Sequence, residues 1–184
     1  MVEIRFHGRG GQGTVIASKI LADAVSKEDK YVQAFPQFGV ERRGAPVFAF
    51  IRIDEQPIYI RSKIILPEHV IVVDPSLIDA IDVTDGLKKG GFILINSSRQ
   101  PDEFQHLGKD FRVFTVDAND IAIRHRLGSK AAPIVNTAIL GAVPRIFNFV
   151  KLASILQSVR ENVPVNPDEN AAAAQEAYDS VKGV

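Results

Sequence analysis

His7-Gly8-Arg9-Gly10-Gly11-Gln12-Gly13-Thr14 joins an apolar run, Val2 to Phe6, to an amphipathic one, Val15 to Val25. Gly8, Gly10 and Gly13 stand at G-x-G-x-x-G spacing. In a strand–turn–helix unit that spacing lets the backbone approach a neighbour closely, and the free amides at the helix start attract an anion. The chemistry open to such a loop is therefore binding rather than bond-making. Three uses fit it: the pyrophosphate of a dinucleotide, a partner chain or another phosphate-bearing ligand, or no ligand at all, with the glycines serving only the tight turn and the helix–strand contact. The dinucleotide use lacks a component. Such units place Asp or Glu about 20 residues on, at the end of the second strand, to hold the ribose. Here that strand reads Tyr31-Val32-Gln33-Ala34-Phe35-Pro36, and Glu28 and Asp29 precede it.

A second segment carries recognition chemistry, Phe35-Pro36-Gln37-Phe38-Gly39-Val40-Glu41-Arg42-Arg43-Gly44-Ala45-Pro46. Aromatics and arginines are the residue types that dominate interfaces, and a guanidinium grips phosphate or carboxylate with a planar fork. The loop follows the second strand, so it is expected on the same sheet edge as the glycine turn. Arg9, Gln12, Glu41, Arg42 and Arg43 are the candidate contact residues, for a partner chain or a ligand path. Gly8, Gly10, Gly11 and Gly13 are the candidate structural turn. No residue is singled out as catalytic, and no cofactor ligand is firm.

Composition removes several functions. There is no cysteine, hence no disulfide, thiol nucleophile or cysteine-held metal centre. His7, His69, His106 and His125 lie too far apart for helical metal-ligand spacing. Twenty-two basic residues balance twenty-two acidic ones, which argues against a nucleic-acid binder that relies on bulk positive charge. Glu3 and Arg5 interrupt the first apolar run, which predicts no secretory leader, and no apolar stretch approaches the ~18 residues of a membrane span. The expected location is cytoplasmic.

The elements that position these residues alternate. Strands are expected at Val2–Phe6, Tyr31–Phe35, Val70–Val73, Gly91–Asn96 and Phe111–Val116. Helices are expected near Thr14–Ser26, Asn119–Leu127, Asn136 or Thr137 to Phe149, and Lys151–Glu161, with Ser76 capping a short one through Ile81. Val47–Ile53 and Ile58–Ile60 flank Asp54-Glu55-Gln56-Pro57, a pattern that predicts an inserted antiparallel hairpin. Asn166-Pro167-Asp168-Glu169 predicts a capped start for the last helix. The fold class is α/β: a Rossmann-like three-layer αβα domain with a mostly parallel sheet, an inserted β-hairpin and a helical C-terminus. Residues 1–184 are expected to form one domain.

These segments together are similar to one family. His7 to Gly13, Tyr31 to Pro36, Glu41-Arg42-Arg43-Gly44-Ala45-Pro46, Val72-Val73-Asp74, Val116-Asp117-Ala118, and Asn136-Thr137 with Gly141-Ala142 follow in order through nearly the whole chain. The chain resembles the gamma subunits of 2-oxoacid:ferredoxin oxidoreductases, most closely the pyruvate type. The resemblance implies a complex that decarboxylates the oxoacid with coenzyme A, yielding acyl-CoA, CO2 and reduced ferredoxin. It implies thiamine diphosphate, magnesium and iron–sulfur clusters in partner subunits: thiamine-binding alpha and beta chains and a ferredoxin-like delta chain. The gamma part of such complexes carries no redox centre of its own. The lack of cysteine, and of a Gly-Asp-Gly segment followed by Asn-Asn, agrees with that division.

Overall fold

The computed structural model describes residues 1–37 and 44–184. Its centre is a six-stranded sheet of β1 (Val2–Arg9), β2 (Tyr31–Pro36), β3 (Pro46–Asp54), β4 (His69–Val72), β5 (Phe92–Asn96) and β6 (Arg112–Val116), in the order β2-β3-β1-β4-β5-β6. β1, β4, β5 and β6 are parallel, whereas β3 runs antiparallel to both β1 and β2. The mostly parallel sheet and the helical C-terminus agree with the expected fold class.

Alternation along β1 decides what each sheet face meets. Ile4 and Phe6 enter the larger core with Ile20 and Leu21 of α1 (Thr14–Ser26), Ile155 of α4 (Leu152–Asn162) and Ala173 of α5 (Pro167–Ser180). Between β6 and these last helices lie α2 (Ala118–Arg124) and α3 (Val143–Ile146). On the opposite face Val70, Val72, Ile93 and Ile95 pack under Leu77, Val83, Leu87 and Phe104. That covering layer is built from 3-10 turns, Pro75–Leu77 and Pro101–Leu107, and from irregular chain rather than α-helix. Asp74, not Ser76, caps the first of these turns, accepting from the Ser76 amide at 2.9 Å.

The hairpin differs from expectation. Val47–Ile53 is strand, but Ile58–Ile60 is not, and the antiparallel partners of β3 are β2 and β1. The cause is Arg52, which is 1% exposed and pairs with Glu3 at 2.7 Å. Its guanidinium also donates to the carbonyls of Ile60 (3.4 Å) and Ser62 (2.6 Å). The chain after β3 is thus fastened over the sheet by side chains instead of a ladder, Arg52 chiefly, with Gln33 Nε2 donating to the Ile58 carbonyl at 3.0 Å, and Pro57 has no N–H to give to a ladder.

The C-terminal helices differ in detail too. The single helix expected up to Phe149 is a 3-10 turn, Ala138–Ala142, followed by α3. Gly141 lies so close to α5 that a Cβ there would collide with the Ala174 carbonyl. Asn166 stands before α5 in the left-handed region (φ 51°) without a side-chain cap bond. Its carbonyl accepts from the Asn170 amide group at 2.8 Å, and Pro167 starts the helix as expected.

Candidate functional site

The glycine turn sits at the carboxyl end of β1. β1 and α1 lead to one side of the sheet and β4 lies on the other, so the strand order reverses beside β1 and leaves a crevice there. A cleft of about 600 Å3 occupies that position, between Gly10–Gly13, Asp74–Ser76 and the side chains of Asn96, Asn119 and Asn136. Gly11 (φ 94°) and Gly13 (φ 74°) hold left-handed conformations that other residues adopt at a cost. A Cβ on Gly8 would collide with Thr14, and one on Gly13 with the Asn136 amide. Gly8, inside β1, therefore lets α1 close on the strand, while Gly13 lets the helix start beneath Asn136.

Asp74 is the hub. Its carboxylate accepts from Gln12 Nε2 at 2.5 Å and from the Ser76 amide and hydroxyl at 2.9 and 2.6 Å. Arg9 Nε stands 3.4 Å away. Burial works to raise the Asp74 carboxyl, but bonds from Ser76 and Gln12 and the Arg9 charge outweigh it, so the group lies below the usual carboxylate range. The Arg9 guanidinium donates to Ser76 Oγ (2.8 Å from Nη2) and to the Gly44 carbonyl (3.0 Å). Gln12 Oε1 accepts from the Arg9 amide at 2.8 Å. Two expected contact residues, Arg9 and Gln12, are thus brought together, but they tie the turn to β4 and to the start of β3. The Arg9 charge is offset by Asp74, so it projects little field into the cleft.

The far wall is formed by residues outside the expected contact set, Asn96, Asn119 and Asn136. Asn96 ends β5, is 1% exposed, and donates through Nδ2 to the Val73 carbonyl (3.0 Å) and to Asn119 Oδ1 (3.3 Å). Its own Oδ1 is buried without a partner among the described residues. Asn136 Nδ2 reaches the Gly13 carbonyl at 3.5 Å. A polar residue closing the buried run Phe92–Ile95 was the available signal, since such positions face the carboxyl-edge crevice.

The recognition loop meets the turn through its last residues. Gly44 N donates to the Gly10 carbonyl at 3.0 Å, and Gly10 N to the Ala45 carbonyl at 2.9 Å. Phe38, Glu41, Arg42 and Arg43 lie outside the described residues. Among the described residues no cluster of histidines and carboxylates suits a metal ion, and no helix is long and apolar enough to cross a membrane. The sheet order also weighs against a dinucleotide. β3 intervenes between β1 and β2, so the end of β2 lies one further strand spacing, about 4.8 Å, from the glycine turn. That end carries Phe35 and Pro36, with no acid.

Residues 3–180 match the family model described as pyruvate ferredoxin/flavodoxin oxidoreductase. The chain is 51% identical to the "Pyruvate/ketoisovalerate oxidoreductases common subunit gamma" of Thermococcus kodakarensis, over 97% of this chain and 96% of that one. It is 46% identical to the "Pyruvate synthase subunit PorC" of Methanothermobacter thermautotrophicus, over 99% and 97% of the two chains. Among solved structures it is similar to the pyruvate oxidoreductase subunit PORC of Thermotoga maritima, with a TM-score of 0.82 and 34% identity, covering 98% of this chain and 97% of that one.

Proposed function

The chain belongs to the pyruvate ferredoxin/flavodoxin oxidoreductase family, and from that premise we propose that it serves as the non-catalytic gamma subunit of a pyruvate:ferredoxin oxidoreductase. The observation that carries the reading is the similarity to gamma and PorC subunits along almost the full length of both chains. Residues 1–184 act as one gamma-type domain in the cytoplasm, beside alpha, beta and delta chains. Those partners hold thiamine diphosphate, magnesium and iron–sulfur clusters, which supply the decarboxylation and electron transfer. This chain has no cysteine with which to hold a cluster.

Its own part is to bind and orient. The cleft at the glycine turn borders the path of coenzyme A, with Arg9 and Gln12 shaping the turn and Glu41, Arg42 and Arg43 contributing partner or ligand contacts. Two features suit a phosphate-bearing ligand with hydroxyl or amide donors. The first-turn amides of α1 open beside Gly13, and Asn96 Oδ1 is a buried acceptor in want of a donor. Acetyl transfer to the coenzyme thiol then happens on partner groups, while this chain fixes the nucleotide end.

The experiment is affinity purification of the tagged chain with its native partners. Cysteine-rich and thiamine-binding chains should co-purify, and the complex should reduce ferredoxin or a dye only with pyruvate and coenzyme A. Recovery of the chain alone, at native levels of all components, refutes the subunit reading. In the assembled complex, Arg42→Ala with Arg43→Ala then separates the two local roles. Loss of partners marks an interface, and a raised KM for coenzyme A with intact assembly marks the ligand path.

A further inference from the structure

A second depression, of about 440 Å3, lies on the opposite face of the sheet, and among the described residues no helix covers it. Its floor is Arg5 and His7 of β1 with Phe48 and Phe50 of β3 beside them; Lys63, Asp82 and Asp85 stand at its border. Arg5 Nε donates to His7 Nε2 at 2.9 Å. A ring nitrogen that accepts carries no proton, so in the neutral imidazole the proton is on Nδ1. His7 is 1% exposed, and its Nδ1 has no partner among the described residues. The ring is held edge-on to Phe48, centroids 5.0 Å apart, so the unsatisfied donor is fixed in place.

Arg5 is in a similar state. It is 8% exposed, and Nη2 donates to the carbonyls of Val83 (3.1 Å) and Asp85 (2.6 Å). Among the described residues no carboxylate comes within ion-pair distance of it. Asp82 commits one carboxylate oxygen to the Thr84 amide and hydroxyl, and both Asp82 and Asp85 are exposed, where water screens them. A buried cation whose direct hydrogen bonds go to two carbonyls and the His7 ring, with Asp82 and Asp85 acting on it only through space, next to a buried donor without an acceptor among the described residues, is the complement of a carboxylate.

The segment that brings Lys63 to the pit supplies the second half of the recognition surface. The segment fastened by Arg52 presents Tyr59, Ile60, Ile65 and Leu66 outward, Tyr59 being 85% exposed. It abuts the turn that carries Asp82 and Asp85, because the Ile65 carbonyl packs on Gly86. Four exposed apolar side chains on the segment that carries Lys63 exceed what a small anion needs and resemble the surroundings of an interface anchor.

We propose that this face docks a partner subunit: the pit at Arg5 and His7 takes the carboxylate of an Asp or Glu side chain, and the 59–66 segment forms the apolar collar around it. The proposal rests on the reading of the chain as a gamma subunit. Lys63 at the border steers the acidic anchor in, and the collar excludes water from the buried bonds.

The test is reconstitution of the complex from this chain and its partner subunits, with the dissociation constant of the chain read by dilution. Lys63→Glu and Tyr59→Asp, both outside the core, should each weaken assembly tenfold or more while the isolated variants melt as the wild type does. Lys89→Glu, on a side chain 87% exposed and outside the pit, should assemble normally. His7→Phe, which keeps the ring volume and removes the donor, should weaken assembly as well. If Lys63→Glu and Tyr59→Asp both assemble with wild-type affinity, the proposal is overturned. If in that case acetate at millimolar concentration shifts the His7 Nδ1 proton resonance of the isolated chain, the pit is a small-anion site instead. Failure of the wild-type chain to join any partner would refute the subunit reading, a result distinct from either.

Discussion

At the residue scale His7 has the most measurable consequence. Burial first, and the neighbouring Arg5 charge second, push its imidazole down from 6.5 to about 3, with Asp82 pulling weakly the other way. The native ring therefore stays neutral over a range where the unfolded chain takes up a proton. Between those two values the unfolded state binds more protons, so stability falls as pH drops below about 6.5 and the loss is complete near 3. The slope approaches ~1.4 kcal/mol per pH unit, so going from pH 7 to 5 should cost about 2 kcal/mol from His7 alone. His69, pushed down to about 4 by burial, adds to the loss in the same direction. Urea unfolding of the isolated chain at the two pH values reads the sum, and His7→Phe should remove the His7 share; an unchanged slope in that variant would contradict the buried neutral ring. Gly13 offers a second residue-scale prediction. With φ at 74° and the Asn136 amide where a Cβ would lie, Gly13→Ala should destabilise by about 1–3 kcal/mol in the same assay. The glycine spacing was legible in the sequence, and the geometry gives Gly8, Gly11 and Gly13 a steric or conformational reason. Arg5 and His7 were not legible as a buried pair. Charged residues alternating with apolar ones in a strand suggest a wet face, and only the carbonyls of Val83 and Asp85, distant in sequence, make burial of the guanidinium tolerable.

At the element scale the decisive feature is β3. Strand and helix positions around β1, α1, β4, β5 and β6 follow from apolar runs, because a buried parallel strand has little else in it. The pairing of β3 does not, since a run such as Val47–Ile53 is equally at home beside any partner. Its place between β1 and β2 changes the chemistry available at the glycine turn, as the second strand of a dinucleotide unit is moved away and carries no acid. Calorimetry with NAD and NADP should give no dissociation constant at or below the micromolar range; a clear micromolar isotherm would refute this account of the turn. Arg52 explains why the second half of the expected hairpin is absent. One buried guanidinium reaching two carbonyls outcompetes a short ladder, and no periodicity records that. Pro144 and Gly141 likewise replace a long helix by a 3-10 turn and α3, because the turn packs on the α5 backbone where a regular helix bearing Cβ atoms does not fit.

At the scale of the whole molecule, two faces differ in character. One is closed by helices and a continuous core, the other carries a charged pit on its surface, and the glycine-bordered cleft lies at the carboxyl edge of the sheet. The chain has no cysteine with which to hold an iron–sulfur cluster or offer a thiol nucleophile, so the purified chain should be colourless and turn over no oxoacid. Pyruvate-dependent dye reduction by the chain alone would contradict this, and restored activity on adding partner subunits would support it. The strand order has one more consequence, for the chain as it leaves the ribosome. β1 is made first, yet its neighbours are β3, paired from Val2↔Ile53 to Arg9↔Pro46, and β4, which begins at His69. The opening β1-α1-β2 stretch therefore has no ladder of its own to close. β1 must wait until β3 is complete at Asp54, about 45 residues after its own end at Arg9, at roughly 5–20 residues per second, with its apolar strand uncovered. Birth order and assembly order are thus inverted at the N-terminus, which makes the early nascent chain a client for holding chaperones and its folding rate a property of the later segments.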